Sequence, residues 1–116
     1  MTLKEYEKEC LRTANGGTKN LTEKERLMLN GCMGLAGESG EIVDVIKKHI
    51  FHGHPLDIES CMKELGDVHW YWSILCYVLN LDPEEVLKQN VQKLRKRYPD
   101  GFGTLDSILR RDKDEK

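Results

Sequence analysis

Two acidic pairs, Glu38 with Glu41 and Glu64 with Asp67, stand in the stretch GLAGESGEIVDVIKKHIFHGHPLDIESCMKELGD. Each pair has i, i+3 spacing, so on a helix both carboxylates project from one face a turn apart. Advancing about 100° per residue places Glu38 and Glu41 within the arc of Leu27, Leu35, Ile42 and Val45. The same exercise places Glu64 and Asp67 within the arc of Val68, Tyr71, Ile74, Leu75 and Val78. All four acids therefore point toward the expected core. Burying unpaired carboxylates of like sign is costly, so a cation should sit among them. A hard divalent ion with oxygen ligands suits that demand, and Mg²⁺ favours a few carboxylates together with water and substrate phosphates. A solvated acidic helix face is the plainer alternative, weakened because both pairs fall inside apolar arcs.

Helices must carry these acids. Thr2 with Glu5 forms a capping box for a short first helix, with Leu3, Tyr6 and Cys10 on one side and a stop at Asn15-Gly16-Gly17. Thr22 with Glu25 opens a long helix that continues to about His52, where Gly53 and Pro55 end it. Gly31, Gly34, Gly37 and Gly40 recur along it; internal glycines weaken a helix, which argues for close approach by another helix or a ligand. Asp57 caps a third helix running to about Asn80, on which Tyr71 and Trp72 face the apolar side and Trp70 the opposite flank. Asp82-Pro83-Glu84-Glu85 starts a fourth helix that ends at Arg97. On it Asn90, Lys93 and Arg97 share a face bordered by Val86 and Leu94, a cationic strip suited to phosphate. Tyr98-Pro99-Asp100-Gly101-Phe102 then turns the chain, and the tail LRRDKDEK is expected to fray.

The 116 residues suit one domain, small enough that a partner subunit would add usefully to its core. A net charge of -2 carries no polyanion-binding signature, so no nucleic-acid partner is expected. No apolar run approaches the length that spans a bilayer, and MTLKEYEKEC lacks the apolar core of a signal peptide; a cytoplasmic protein is expected. The four cysteines, at 10, 32, 61 and 76, have no close metal-type spacing and read as reduced core residues. His49, His52 and His54 lack the i, i+4 separation that suits one metal.

The assembled motifs resemble the MazG-like nucleoside triphosphate pyrophosphohydrolases of the all-helical NTP pyrophosphatase superfamily. GLAGESGEI supplies an ExxE at Glu38 and Glu41, KELGDVHWY an ExxD at Glu64 and Asp67, and NVQKLRKRYPDGF is similar to the C-terminal signature. The resemblance implies an all-α, four-helix bundle completed by homo-oligomerisation, as a homodimer or a dimer of dimers. It implies that Glu38, Glu41, Glu64 and Asp67 bind Mg²⁺, with Mn²⁺ a possible substitute. By the same resemblance Lys48, Asn90, Lys93, Arg97 and Tyr98 contact the substrate, and Glu38 or Glu41 accepts the proton of the attacking water. The implied reaction splits the α-β phosphate bond of a nucleoside triphosphate, giving the monophosphate and pyrophosphate. The absence of a GK[ST] sequence after the glycines excludes a P-loop, so the phosphates must be held through metal. A di-iron carboxylate bundle would need histidine three residues after a glutamate on two helices, which neither Glu38 nor Glu64 has. A non-catalytic helical oligomerisation or regulatory module that binds metal or nucleotide is the remaining alternative.

Overall fold

A computed structural model describes residues 1–17 and 20–113. The described residues form α1 (Leu3–Thr13), α2 (Glu23–His52), α3 (Ile58–Val78), α4 (Pro83–Arg97), α5 (Thr104–Leu109) and a 3-10 turn at Arg111–Lys113. The starts follow local chemistry. Thr2 Oγ1 accepts from the Glu5 amide at 3.1 Å while Glu5 Oε2 accepts from the Thr2 amide at 2.7 Å. Thr22 and Glu25 repeat the reciprocal arrangement, both bonds at 3.1 Å. Asp57 Oδ1 accepts from the Ser60 amide at 3.0 Å, and Asp82 Oδ1 from the Glu84 amide at 3.0 Å, with Pro83 at the first helical position. Each satisfies a donor that the first helical turn leaves without an internal partner.

The stops are equally local. Gly53 ends α2 at φ +72°, a left-handed conformation that suits glycine. Helix α3 ends at Val78 rather than near Asn80, because Asn80 itself turns left-handed at φ 57° and Leu81 N–H bonds the Cys76 carbonyl at 2.8 Å.

Helices α2 and α3 form an antiparallel hairpin that supplies the main packing of the chain. Gly31 lies against Leu75 and Gly34 against Tyr71, so two of the four regularly spaced glycines serve close helix approach. A Cβ built on Gly34 would come within 2.1 Å of Tyr71 Cε1. Gly34→Ala is therefore expected to destabilise the hairpin by about 1–3 kcal/mol, the usual cost of overpacking, read as a lower midpoint in urea. Gly37 and Gly40 meet nothing within 4 Å in the single chain. If their faces stay open in solution, Gly37→Ala gains helix propensity and stabilises by up to about 1 kcal/mol. If a second subunit packs there, the sign reverses. The same urea titration reads both variants.

The apolar arcs deduced from helical periodicity are those that turn inward: Leu27, Leu35, Ile42 and Val45 on α2, and Val68, Tyr71, Ile74 and Leu75 on α3, are half-buried. Trp70 stays 54% exposed on the opposite flank. Only Gly31, Cys76 and Val78 are fully buried among the described residues. Leu29, Met33, Ile50, Phe51, Met62 and Leu65 remain exposed on the hairpin. The radius of gyration is 20.1 Å. A compact domain of this length has about 13 Å.

Three expectations need correction. The described residues form five α-helices, not four: α5 carries little local signal because its N-cap, Gly103, offers no side-chain hydrogen bond and its run is only six residues. The tail does not fray through residue 113, because the 3-10 turn packs against α4; residues 114–116 lie outside the described residues. Of the cysteines, only Cys76 is a core residue; Cys61 is half-buried, and Cys10 and Cys32 are exposed. Cys10 is exposed because α1 buries none of its residues.

Candidate metal centre

The α2–α3 contact turns two local acidic pairs into one site. One carboxylate oxygen each from Glu38, Glu64 and Asp67 lie within 4.8 Å of one another. Glu38 and Glu64 are half-buried and Asp67 is exposed, so the cluster opens to solvent on the Asp67 side. Glu41, one turn along α2, is exposed and is not part of that close group, though its charge still acts on Glu38.

The electrostatics of the cluster follow from crowding. The Glu38 carboxyl is pushed up from 4.5 to about 7, first because its protonated form can hydrogen-bond Glu64, then through burial and the negative charges of Glu64, Asp67 and Glu41. Glu64 Oε2 is buried without a hydrogen-bond donor. A buried carboxylate oxygen without a hydrogen-bond partner, on a side chain that lies beside two further acids, is what a small hard cation satisfies. The donor set is all oxygen, which suits Mg²⁺ or Mn²⁺ over softer metals. The residues present therefore fit a divalent ion held by Glu38, Glu64 and Asp67.

The other candidate residues fall into two separate groups. Lys48, two turns beyond Glu41 on α2, is exposed and pairs with Asp44 at 2.8 Å; this hydrogen bond, more than the Glu41 charge, raises its pKa. Lys48 also borders a cavity of about 530 Å³ with Val45, His54, Pro55, Asp57 and Ser60 at the α2–α3 turn. On α4, Asn90 and Lys93 are exposed. Arg97 is not: its Nε donates to Asp112 Oδ1 at 2.6 Å and its Nη2 to Asp112 Oδ2 at 2.8 Å. Tyr98 is half-buried, its ring tilted at 40° to Phe102 with 5.3 Å between centroids and the Arg97 guanidinium 5.9 Å from its own centroid.

Asp44 and Asp112 were absent from the sequence-derived site. The i, i+4 spacing of Asp44 and Lys48 was a usable signal. Asp112 carried none, since its partner is 15 residues away across a turn.

Among the described residues the fold is all-helical, and its central hairpin brings together three carboxylates that could hold a divalent cation. More specifically, residues 29–102 match the MazG nucleotide pyrophosphohydrolase domain, and the chain belongs to that family. The matched span contains both acidic pairs and the cationic strip of α4, and leaves out α1, α5 and the 3-10 turn. The chain is also similar to the gene 37 protein of Mycobacterium phage L5, 34% identical over 73 residues that cover 60% of this chain and 64% of that protein. The match thus spans less than two thirds of the phage protein. No solved structure matches the chain. Among the described residues no helix is long and apolar enough to cross a membrane.

Proposed function

We propose that this protein is a Mg²⁺-dependent nucleoside triphosphate pyrophosphohydrolase that splits the α-β anhydride, releasing a nucleoside monophosphate and pyrophosphate. The observation that carries the reading is the convergence of carboxylate oxygens of Glu38, Glu64 and Asp67, together with the buried, unpartnered Oε2 of Glu64. Membership of the MazG nucleotide pyrophosphohydrolase family supports a nucleotide as the substrate class.

In this reading Glu38, Glu64 and Asp67 hold the ion, and Glu41 joins them or remains beside them. When bound, the ion would neutralise polyphosphate charge and lower the pKa of water. The chain's own groups do the rest. Glu41, exposed and clear of the close trio, accepts a proton from the attacking water while its oxygen adds to phosphorus and the bridging P–O bond breaks. Lys48, Asn90, Lys93, Arg97 and Tyr98 bind and orient the anionic substrate, and the cations stabilise pyrophosphate as it leaves. The open apolar surface of α2 and α3 and the extended shape favour a homodimer or dimer of dimers as the working form.

The test is a screen of canonical and modified nucleoside triphosphates with Mg²⁺, scored separately for pyrophosphate and orthophosphate. Pyrophosphate with nucleoside monophosphate, abolished by chelator, is the expected result. Orthophosphate as the first product contradicts the assigned bond. Nucleotide binding without turnover would instead identify a non-catalytic module.

A further inference from the structure

The C-terminal 3-10 turn, Arg111–Lys113, is joined to α4 by an ion pair of its middle residue. Asp112 meets Arg97 through two parallel hydrogen bonds of 2.6 and 2.8 Å, with side-chain exposures of 6% for Asp112 and 15% for Arg97. This pair is less exposed than the pairs Lys4–Glu7, Arg12–Glu9, Lys47–Asp44, Lys48–Asp44 and Arg111–Asp106, each of which bridges residues three to five apart in sequence. The Arg97 pair ties α4 to the 3-10 turn that follows it in the chain. Asp112 lies beyond residues 29–102, so the family match does not account for it.

We propose that Asp112 is a positioning residue for substrate binding: it fixes the Arg97 guanidinium so that the edge turned away from it can take the substrate's phosphate. The inference rests on the pyrophosphohydrolase reading, in which Arg97 contacts phosphate. Three observations on this pair carry it. First, the carboxylate occupies the Nε edge, using Nε–H and one Nη2 hydrogen. A guanidinium has five N–H donors; Asp112 takes two, and of the three left the Tyr98 hydroxyl is within hydrogen-bonding reach of one, which leaves donors that a phosphate oxygen accepts. Second, Tyr98 borders the same guanidinium, its ring centroid 5.9 Å away, and its ring is itself tilted against Phe102. The arginine is thus held from two sides. Third, Arg97 lies at the last turn of α4, on the face that carries Asn90 and Lys93, and so continues a polar strip rather than closing a core.

The physical gain is preorganisation. An unrestrained arginine loses several rotatable bonds when it meets an anion, whereas one already clamped loses few. The opposing effect is the negative charge of Asp112, which weakens attraction for phosphate. The side-on geometry leaves that charge on the far side of the fork, so orientation is expected to win.

Steady-state pyrophosphate release by the full chain tests this, using the triphosphate that gives the most turnover and comparing the unsubstituted protein with Asp112→Asn and Asp112→Glu. Asp112→Asn offers one carbonyl oxygen and an amide that repels guanidinium N–H groups. It is expected to raise KM about tenfold with kcat changed less than about twofold, since uniform binding is lost. Asp112→Glu restores a carboxylate and is expected to recover most of the loss. Melting of each variant is followed alongside. A lower melting temperature with unchanged KM makes the contact merely structural and overturns the proposal. A lower KM also overturns it, because the turn would then be masking Arg97. Should Asp112→Asn not fold, Arg97→Lys serves: an ammonium cannot offer two planar edges at once, so KM must rise, and an unchanged KM refutes the inference. Absence of turnover in the unsubstituted chain defeats the hydrolase reading and this inference with it. Turnover with KM indifferent to position 112 defeats only the second.

Discussion

Replacing Glu64 by glutamine is expected to lower Mg²⁺-dependent pyrophosphate release at least about 100-fold, since even groups that only support metal ligands cost 10- to 100-fold when lost. The same change is expected to leave the metal-free fold as stable as before, or more so. Glu64 sits where carboxylate oxygens from Glu38, Glu64 and Asp67 lie within 4.8 Å, and its own Oε2 is buried without a donor. A glutamine keeps the volume, removes one negative charge and can donate to Glu38. Losing a like-charge contact stabilises, whereas losing a cation ligand disables. The variant thus separates the two roles that a buried acid can have. Activity is read as pyrophosphate release and stability as the melting temperature in chelator, with and without added Mg²⁺. The added-Mg²⁺ increment in melting temperature should vanish in Glu64→Gln. Wild-type turnover in this variant would refute the site.

The second large effect is a reversal of pH dependence by metal. Glu38 ordinarily titrates near 4.5 and is raised to about 7 by hydrogen bonding to Glu64, by burial and by neighbouring charges. The folded chain therefore binds this proton more tightly than the unfolded chain does. Its stabilising contribution is fully present below about 4.5 and is lost as pH rises through about 7. The metal-free protein is expected to melt at lower temperature at pH 8 than at pH 5. Mg²⁺ competes with the proton for the same oxygens, so its stabilising increment should grow across that window, with proton uptake reversed on binding. Melting curves at several pH values, in chelator and in Mg²⁺, check both slopes, and Glu38→Gln should flatten the metal-free one. Equal slopes for the parent and Glu38→Gln would show that other groups set the profile. Asp112 provides an internal contrast. Arg97 holds its carboxyl down at about 2 from 3.8, so that contribution is present above the ordinary value and lost only as pH falls toward 2. The two windows do not overlap, so an effect between pH 4.5 and 7 does not come from the Arg97–Asp112 pair.

Much of the fold was legible because it is written locally. Thr2, Thr22, Asp57 and Asp82 cap helices with side chains a few residues from the amides they satisfy, and Gly53 ends α2 by its own left-handed backbone. Such signals require no knowledge of the rest of the chain. Where the local signal was weak, the reading failed. Helix α5 begins at Gly103 without a side-chain cap, and the final turn holds its place through Asp112 reaching back to Arg97. The cysteines misled for a related reason: composition reports that small apolar residues favour interiors, but Cys10 and Cys32 lie on faces that this chain does not cover.

The candidate site shows the same division. Spacing alone determined that Glu38 and Glu41 share a helix face, that Glu64 and Asp67 share another, and that both faces run along apolar arcs, because 3.6 residues complete a helical turn whatever surrounds it. Which oxygens meet was decided only by tertiary structure. Close approach at Gly31–Leu75 and Gly34–Tyr71 sets how α2 lies against α3, and in that arrangement Glu38 joins Glu64 and Asp67 while Glu41 stays outside the close group. Likewise α4 could be seen to carry Arg97, but only the folded chain could bring Asp112 to its Nε edge. Helical periodicity is a property of the backbone, whereas convergence depends on contacts between segments distant in sequence, and those contacts exist only once the segments have packed.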